Sequence, residues 1–225
     1  SKSKASTQNN NKHIVIDFAA DELPYREYGL KRARKLGASL LQIQPDRFSS
    51  VSKNFSIEQN TTLTLIGHCS KGANDLMDNS GIRISATDIA KQIYANMSEK
   101  GTPLDTVFTI DLIACQAASP FGQQPSFAER LVKALSDCGI KNVSVVASPT
   151  IMLASRGGEQ ANLSEQDDLK MTQEIQKAKT KFGNAWFSKF NPQSIQFESN
   201  KATLNAKKIT FNYDSERDSV RTLKK

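Results

Sequence analysis

The chain has 225 residues, 38% hydrophobic and 24% charged, proportions that suit one globular domain able to bury a core without disulfide staples. Its net charge of +7 implies attraction to something anionic, alongside the ordinary solubilising role of surface charge. No apolar run reaches the length of a membrane span and no secretory signal peptide is visible; three cysteines without a CxxC pair and two histidines argue against a disulfide framework and against a metal centre.

Taken in chain order, residues 1–12 are polar and aperiodic and read as a flexible leader. His13 to Phe18 reads as a buried strand, and Asp21-Glu22-Leu23-Pro24 as the acidic, proline-marked start of a helix that runs to Leu36 and stops at Gly37. Ser39 to Gln44 is a second strand, and residues 45–60 read as loop. Thr61 to Ile66 is a third strand, followed by a Gly-, Asn-, Asp- and Ser-rich loop over 70–81. Ser85 caps a helix to Met97 with Asp88 at the capping-box position, Val107 to Ala114 is a strand, and Ala117 to Gln124 is a loop. Ser126 to Cys138 is an amphipathic helix ended by Gly139, and Val143 to Ala147 is a strand.

This alternation over 13–147 predicts an α/β fold, a mostly parallel sheet with helices on both faces. Residues 148–213 read as an antiparallel extension. It contains a hairpin or flap turn at Arg156-Gly157-Gly158, a charged helix or long polar excursion over Asp167–Lys181, and short strands at Trp186–Phe190, Ser194–Phe197 and Lys208–Tyr213. Residues 214–225 read as a charged, fraying tail.

Two of the apolar strands end on reactive side chains, His68 and Cys115. Neighbouring parallel strands ending this way place an imidazole and a thiol at the carboxyl edge of one sheet, where open α/β sheets carry their sites. There the imidazole can take the thiol proton during attack on a carbonyl. Backbone N–H groups after the two strands could form an oxyanion hole, with Gly67 letting the backbone approach a substrate and Cys69 lining the turn.

Leu65-Ile66-Gly67-His68 before the polar loop, and Asp111-Leu112-Ile113-Ala114-Cys115 about fifty residues on, resemble the His and Cys blocks of caspase–hemoglobinase-type (clan CD) cysteine peptidases. The match is nearest to the autoprocessing cysteine protease domains of large bacterial toxins, of the repeats-in-toxin and clostridial glucosylating types. Residues 13–200 can be laid on that pattern, including Phe190-Asn191-Pro192. The family usually has Gly-His-Gly; here Cys69 stands at the third position.

The resemblance implies a caspase-like fold with a β-flap, Cys115 as nucleophile, His68 as general base and acid, and Asp21 orienting the His, with Asp17 its competitor and helix capping its plain alternative. It implies cleavage of a polypeptide after Leu, often of the parent chain itself, by a monomer translocated into the host cytosol. It also implies allosteric activation by inositol hexakisphosphate in a basic pocket. Candidates for that pocket are Arg32, Arg34 and Lys35 on the first helix, Arg156 at the flap turn, and Lys170, Lys177, Lys179 and Lys181 near it, with Lys189 and Lys201 as further options.

Two rival readings stand beside this one. A caspase- or clostripain-like relative could act in trans with an acidic or basic P1 preference. Alternatively, the Cys–His pair could be a relic on a polyphosphate- or phosphoinositide-binding module. Nucleic acid is disfavoured, because aromatic residues make up 7% of the chain and do not interleave with basic ones.

Overall fold

The structure, a computed structural model, describes residues 12–154, 157–158, 160–190 and 208–223. Strand β1 (His13–Asp17) carries buried Ile14, Val15 and Ile16, and leads into helix α1 (Leu23–Leu36). Gly37 ends α1 in the left-handed conformation (φ 61°), and Arg34 and Lys35 sit in its last turn, where the helix dipole favours cations. No side chain caps its first turn; the acidic residues before it serve other ends.

After β2 (Ser39–Gln42) the expected loop over 45–60 is partly ordered differently, as a 3₁₀ turn (Pro45–Arg47) and a short helix, α2 (Phe48–Val51). Phe48, Phe55 and Ile57 explain this, since all three are buried and pull the segment onto the core. Strand β3 (Thr62–Ile66) follows. The polar loop expected over 70–81 instead contains β4 (Asp75–Met77), which pairs antiparallel with β5 (Arg83–Ser85). Leu76, fully buried, anchors that hairpin.

Ser85 caps α3 (Ala86–Glu99) by accepting from the Asp88 N–H, and Ser126 caps α4 (Phe127–Asp137) by accepting from the Glu129 N–H. Between them lies β6 (Phe108–Ile113), and β7 (Val143–Ala147) follows α4.

The last third holds the larger departures. A hairpin, β8 (Met152–Ala154) and β9 (Gln160–Asn162), forms where the Arg156-Gly157-Gly158 turn predicts one, and α5 (Glu165–Phe182) is a full helix capped by Ser164. Trp186–Phe190, expected as a strand, follows a 3₁₀ turn (Gly183–Ala185) as helix α6 (Trp186–Lys189). Among the described residues no strand pairs with it; Trp186 lies under the Lys179 ammonium and against the Phe190 ring. The expected strand at Ser194–Phe197 lies outside the described residues. β10 (Ile209–Asp214) forms as expected, but the tail expected to fray supplies β11 (Ser219–Leu223).

The main sheet has the order β11-β10-β7-β6-β3-β1-β2. The five strands from β7 to β2 are parallel; β10 runs antiparallel to β7, and β11 antiparallel to β10. Buried side chains cover both faces. On one side Leu63, Leu65, Ile110 and Leu112 pack with Ile89, Ile93, Leu131 and Leu135 of α3 and α4. On the other, Val15, Ile66 and Ile113 pack with Tyr28 and Ala33 of α1 and with Met152. The strand order turns back between β1 and β3, the switch point of the sheet.

Candidate active site

Strands β3 and β6 pair parallel with Ile66 opposite Ile113, and the Gly67 N–H extends the ladder by donating to the Ile113 carbonyl at 3.2 Å. His68 and Cys115 each follow two residues beyond the paired ends of these adjacent strands. Side chains alternate across a strand. Cys115 packs with Ile66 and Ile113 on the α1 face, whereas Cys69 packs into the core on the α3/α4 face. Cys69 therefore turns away from the face that carries Cys115, and burial pushes its thiol up to about 12.

Gly67 has a role other than approach to a substrate. Its N–H is committed to β6, and a Cβ there would come within 3.2 Å of Leu76 Cβ and 3.5 Å of the Met77 carbonyl. The missing side chain makes room for β4. The Cys69 N–H, by contrast, has no hydrogen-bond acceptor among the described residues, so a turn donor remains beside the thiol.

His68 is held from several sides. Its backbone exchanges both hydrogen bonds with Met77 (2.8 and 3.0 Å), so the loop that follows is registered against it. Its Nε2 lies 2.6 Å from Asn79 Oδ1. The Asn79 Nδ2 donates to Asp21 Oδ1 at 2.7 Å and to the Ala19 carbonyl at 3.1 Å. Asp21 thus reaches His68 through Asn79, and its carboxylate also accepts from the Asn79 backbone N–H at 3.2 Å. The Tyr25 ring packs edge-on to the imidazole, with centroids 4.8 Å apart and planes at 82°. Burial, and after it the neighbouring Cys115 and Glu22, pushes the Tyr25 phenol up to about 12.

Cys115 is half-buried, and its Sγ accepts from the Met152 N–H at 3.4 Å and donates to the Met152 carbonyl at 3.5 Å. Burial, and behind it the charge of Asp168, pushes the thiol up, while the Met152 hydrogen bond pulls the other way. With the thiol pushed up, attack requires a base at the moment of reaction. The chain turns sharply just after it, with Gln116 at φ 55°, a strained conformation for a non-glycine residue. That strain is braced. The Gln116 N–H donates to the Thr150 carbonyl at 3.0 Å, and its side-chain amide donates to Asp168 Oδ1 at 3.0 Å. Asp168, buried, also accepts from the Ile151 N–H at 2.7 Å and pairs with Lys71 at 3.7 Å.

Asp17, the competing acidic residue, is fully buried beneath α1 and takes no part in this network. It accepts from the Ala19 N–H at 2.9 Å and from Gln42 Nε2 at 3.3 Å, and burial pushes it up to about 7.

The basic candidates do not converge as one group. Arg34 and Lys35 are exposed on α1. Lys177 pairs with Glu174 at 3.1 Å and Lys181 sits over Phe182, both on α5, while Lys179 sits over Trp186 of α6. Lys170 is half-buried on α5, and Arg156 and Lys201 lie outside the described residues. Arg32 is different: Gly158 of the β8–β9 turn closes on its backbone, where a Cβ would come within 2.9 Å, and its Nε is buried without a hydrogen-bond partner among the described residues. Lys208 pairs with Asp111 at 3.0 Å.

Sequence reasoning missed Asn79, Gln116, Asp168 and Lys208. Only Asn79 had a local signal, since it lies in the polar loop after the His-bearing strand; the others are placed by long-range contacts. Among the described residues no His, Cys, Asp and Glu group could hold a metal, and no helix is long and apolar enough to cross a membrane. No family model matches this chain, and no curated protein matches it significantly.

Proposed function

We propose that this chain is a cysteine endopeptidase of the toxin-autoprocessing type, with Cys115 as nucleophile and His68 as its base. The observation that carries the reading is that the adjacent parallel strands β3 and β6 lead into His68 and Cys115 at one carboxyl edge of the sheet, with His68 tethered to Asp21 through Asn79. In the reaction the Cys115 sulfur bonds to the scissile carbonyl carbon and its proton passes to His68. The oxyanion that forms is met by the Cys69 N–H. The C–N bond then breaks as His68 returns the proton to the leaving amine, which leaves a thioester. Water, deprotonated by His68, hydrolyses that thioester and restores the thiol.

The resemblance supplies the rest of the proposal: cleavage after Leu, often within the parent chain, inside a host cytosol, with inositol hexakisphosphate as activator. Arg32 beside the β8–β9 hairpin, and the +7 net charge, support a polyanion site on that face. Met152 links that hairpin to the thiol, so a ligand that shifts the hairpin changes access to Cys115.

One observation favours a second reading. The thiol is held by both the N–H and the carbonyl of Met152, as it would be in a polyphosphate-binding module without activity.

Labelling by a Leu-based acyloxymethyl ketone, with and without inositol hexakisphosphate, separates the two, with Cys115→Ala and Cys69→Ala as controls. Labelling that needs Cys115 and rises with the polyphosphate is expected. Labelling that ignores the ligand removes the switch. Tight ligand binding with no labelling at all leaves the binding module.

A further inference from the structure

We infer that Asn79 is the positioning residue of His68, fixing its proton on Nε2 and making Nδ1 the base, and that Asp21 acts on the imidazole only through Asn79. The inference rests on the protease reading for its catalytic consequence, but not for the state of the imidazole.

The orientation of the Asn79 amide is settled by its partners. One end faces the Ala19 carbonyl at 3.1 Å and Asp21 Oδ1 at 2.7 Å, which are both acceptors, so that end must be the Nδ2 donor. The other end is then Oδ1, 2.6 Å from His68 Nε2. A carbonyl oxygen can only accept, and a bare nitrogen at that distance would repel it, so Nε2 carries the hydrogen. Neutral imidazole keeps one proton, and the lone pair falls to Nδ1.

The loop is built to hold this geometry. Met77 is registered on the His68 backbone. Asp78, buried, then accepts from the N–H groups of Ser80 and Ile82 and from the Ser80 hydroxyl, each at 2.9 Å. Asn79 is thereby fixed between two anchored neighbours and reaches back to the ring. Tyr25 closes the imidazole's edge, so rotation away from Asn79 meets an aromatic wall.

The chain has only two histidines, so nitrogen NMR of the imidazoles reads this directly, with His13→Gln assigning the pair. Wild type is expected to show His68 as the Nε2–H tautomer. Asn79→Ala should let the two tautomers average and lower peptide cleavage on the order of 10²-fold, with unfolding unchanged. Asn79→Asp should keep the Nε2–H form, raise the pH at which His68 titrates, and move the acidic limb of activity upward; a purely structural role would move neither. Asp21→Ala should be milder than Asn79→Ala, because the Ala19 carbonyl still orients the amide. An Nδ1–H tautomer in the wild type overturns the inference, as does an Asn79→Ala variant with unchanged tautomer and activity. An inactive wild type with the Nε2–H signature sinks the protease reading and leaves the assignment of Asn79 standing.

Discussion

Asp17→Asn is expected to stabilise the protein increasingly as pH rises from about 4 to about 8. Asp17 is fully buried, backed by Gly29 of α1, with hydrogen bonds only from the Ala19 N–H and the Gln42 amide; burial, opposed mainly by those bonds, lifts it from 3.8 to about 7. Asp21 raises it further and Arg26 lowers it, but both act less than burial. The folded state therefore holds this proton more tightly than the unfolded chain. Asp17's contribution to stability is complete below 3.8 and lost as pH climbs through about 7.

At about 1.4 kcal/mol per pH unit, the whole loss is about 4 kcal/mol, a large share of the 5–15 kcal/mol typical of a domain. About 3 kcal/mol of it falls between pH 5 and 8. Asparagine is neutral throughout and accepts from Ala19 in the same way. Its amide meets Gln42 only if that side chain turns over and releases the Arg26 carbonyl, a cost of about 1 kcal/mol. Urea unfolding followed by circular dichroism from pH 5 to 8 measures the gap between variant and wild type. A gap that stays constant with pH, or that shrinks as pH rises, would refute the reasoning.

Two further outcomes concern the scaffold. Lys208→Met leaves Asp111 partly buried without its cation and should cost about 2 kcal/mol, most of it recovered in the Asp111→Asn, Lys208→Met double variant; chemical denaturation of the set gives the coupling. Ser126→Ala removes the cap on α4 and should lower unfolding free energy by about 1 kcal/mol, measured the same way, with no change in thiol labelling.

Cys115 is held by a contact that local chemistry gives no hint of. Met152 approaches the sulfur with both its N–H and its carbonyl, while Ile151, one residue earlier, is held by Asp168. The carboxylate that anchors α5 thus also fixes the segment lying over the thiol. The hairpin thus meets Cys115 and Asp168 through two neighbouring peptide groups.

The amino-acid sequence by itself determined the alternation of strands and helices, because each element's apolar period is a local property: Leu63 and Leu65 on a period of two, and Phe127, Leu131 and Leu135 on a helical face. It also determined the caps at Ser85 and Ser126, and that two buried strands end on His68 and Cys115. It could not settle whether Asp21 caps a helix or serves His68, since both roles require an exposed carboxylate at the same place. Tertiary structure decided that by bringing Asn79, fifty-eight residues away, onto Asp21. It likewise decided the helical state of Trp186–Lys189 and the strand at Ser219–Leu223, where propensity is weak and the available partner governs: α5 for the first, the open edge of β10 for the second. The physical reason is range. Hydrophobic period is written within one element, whereas a hydrogen bond between loops depends on the register of two strands, and one residue of slip would send His68 and Cys115 to different faces.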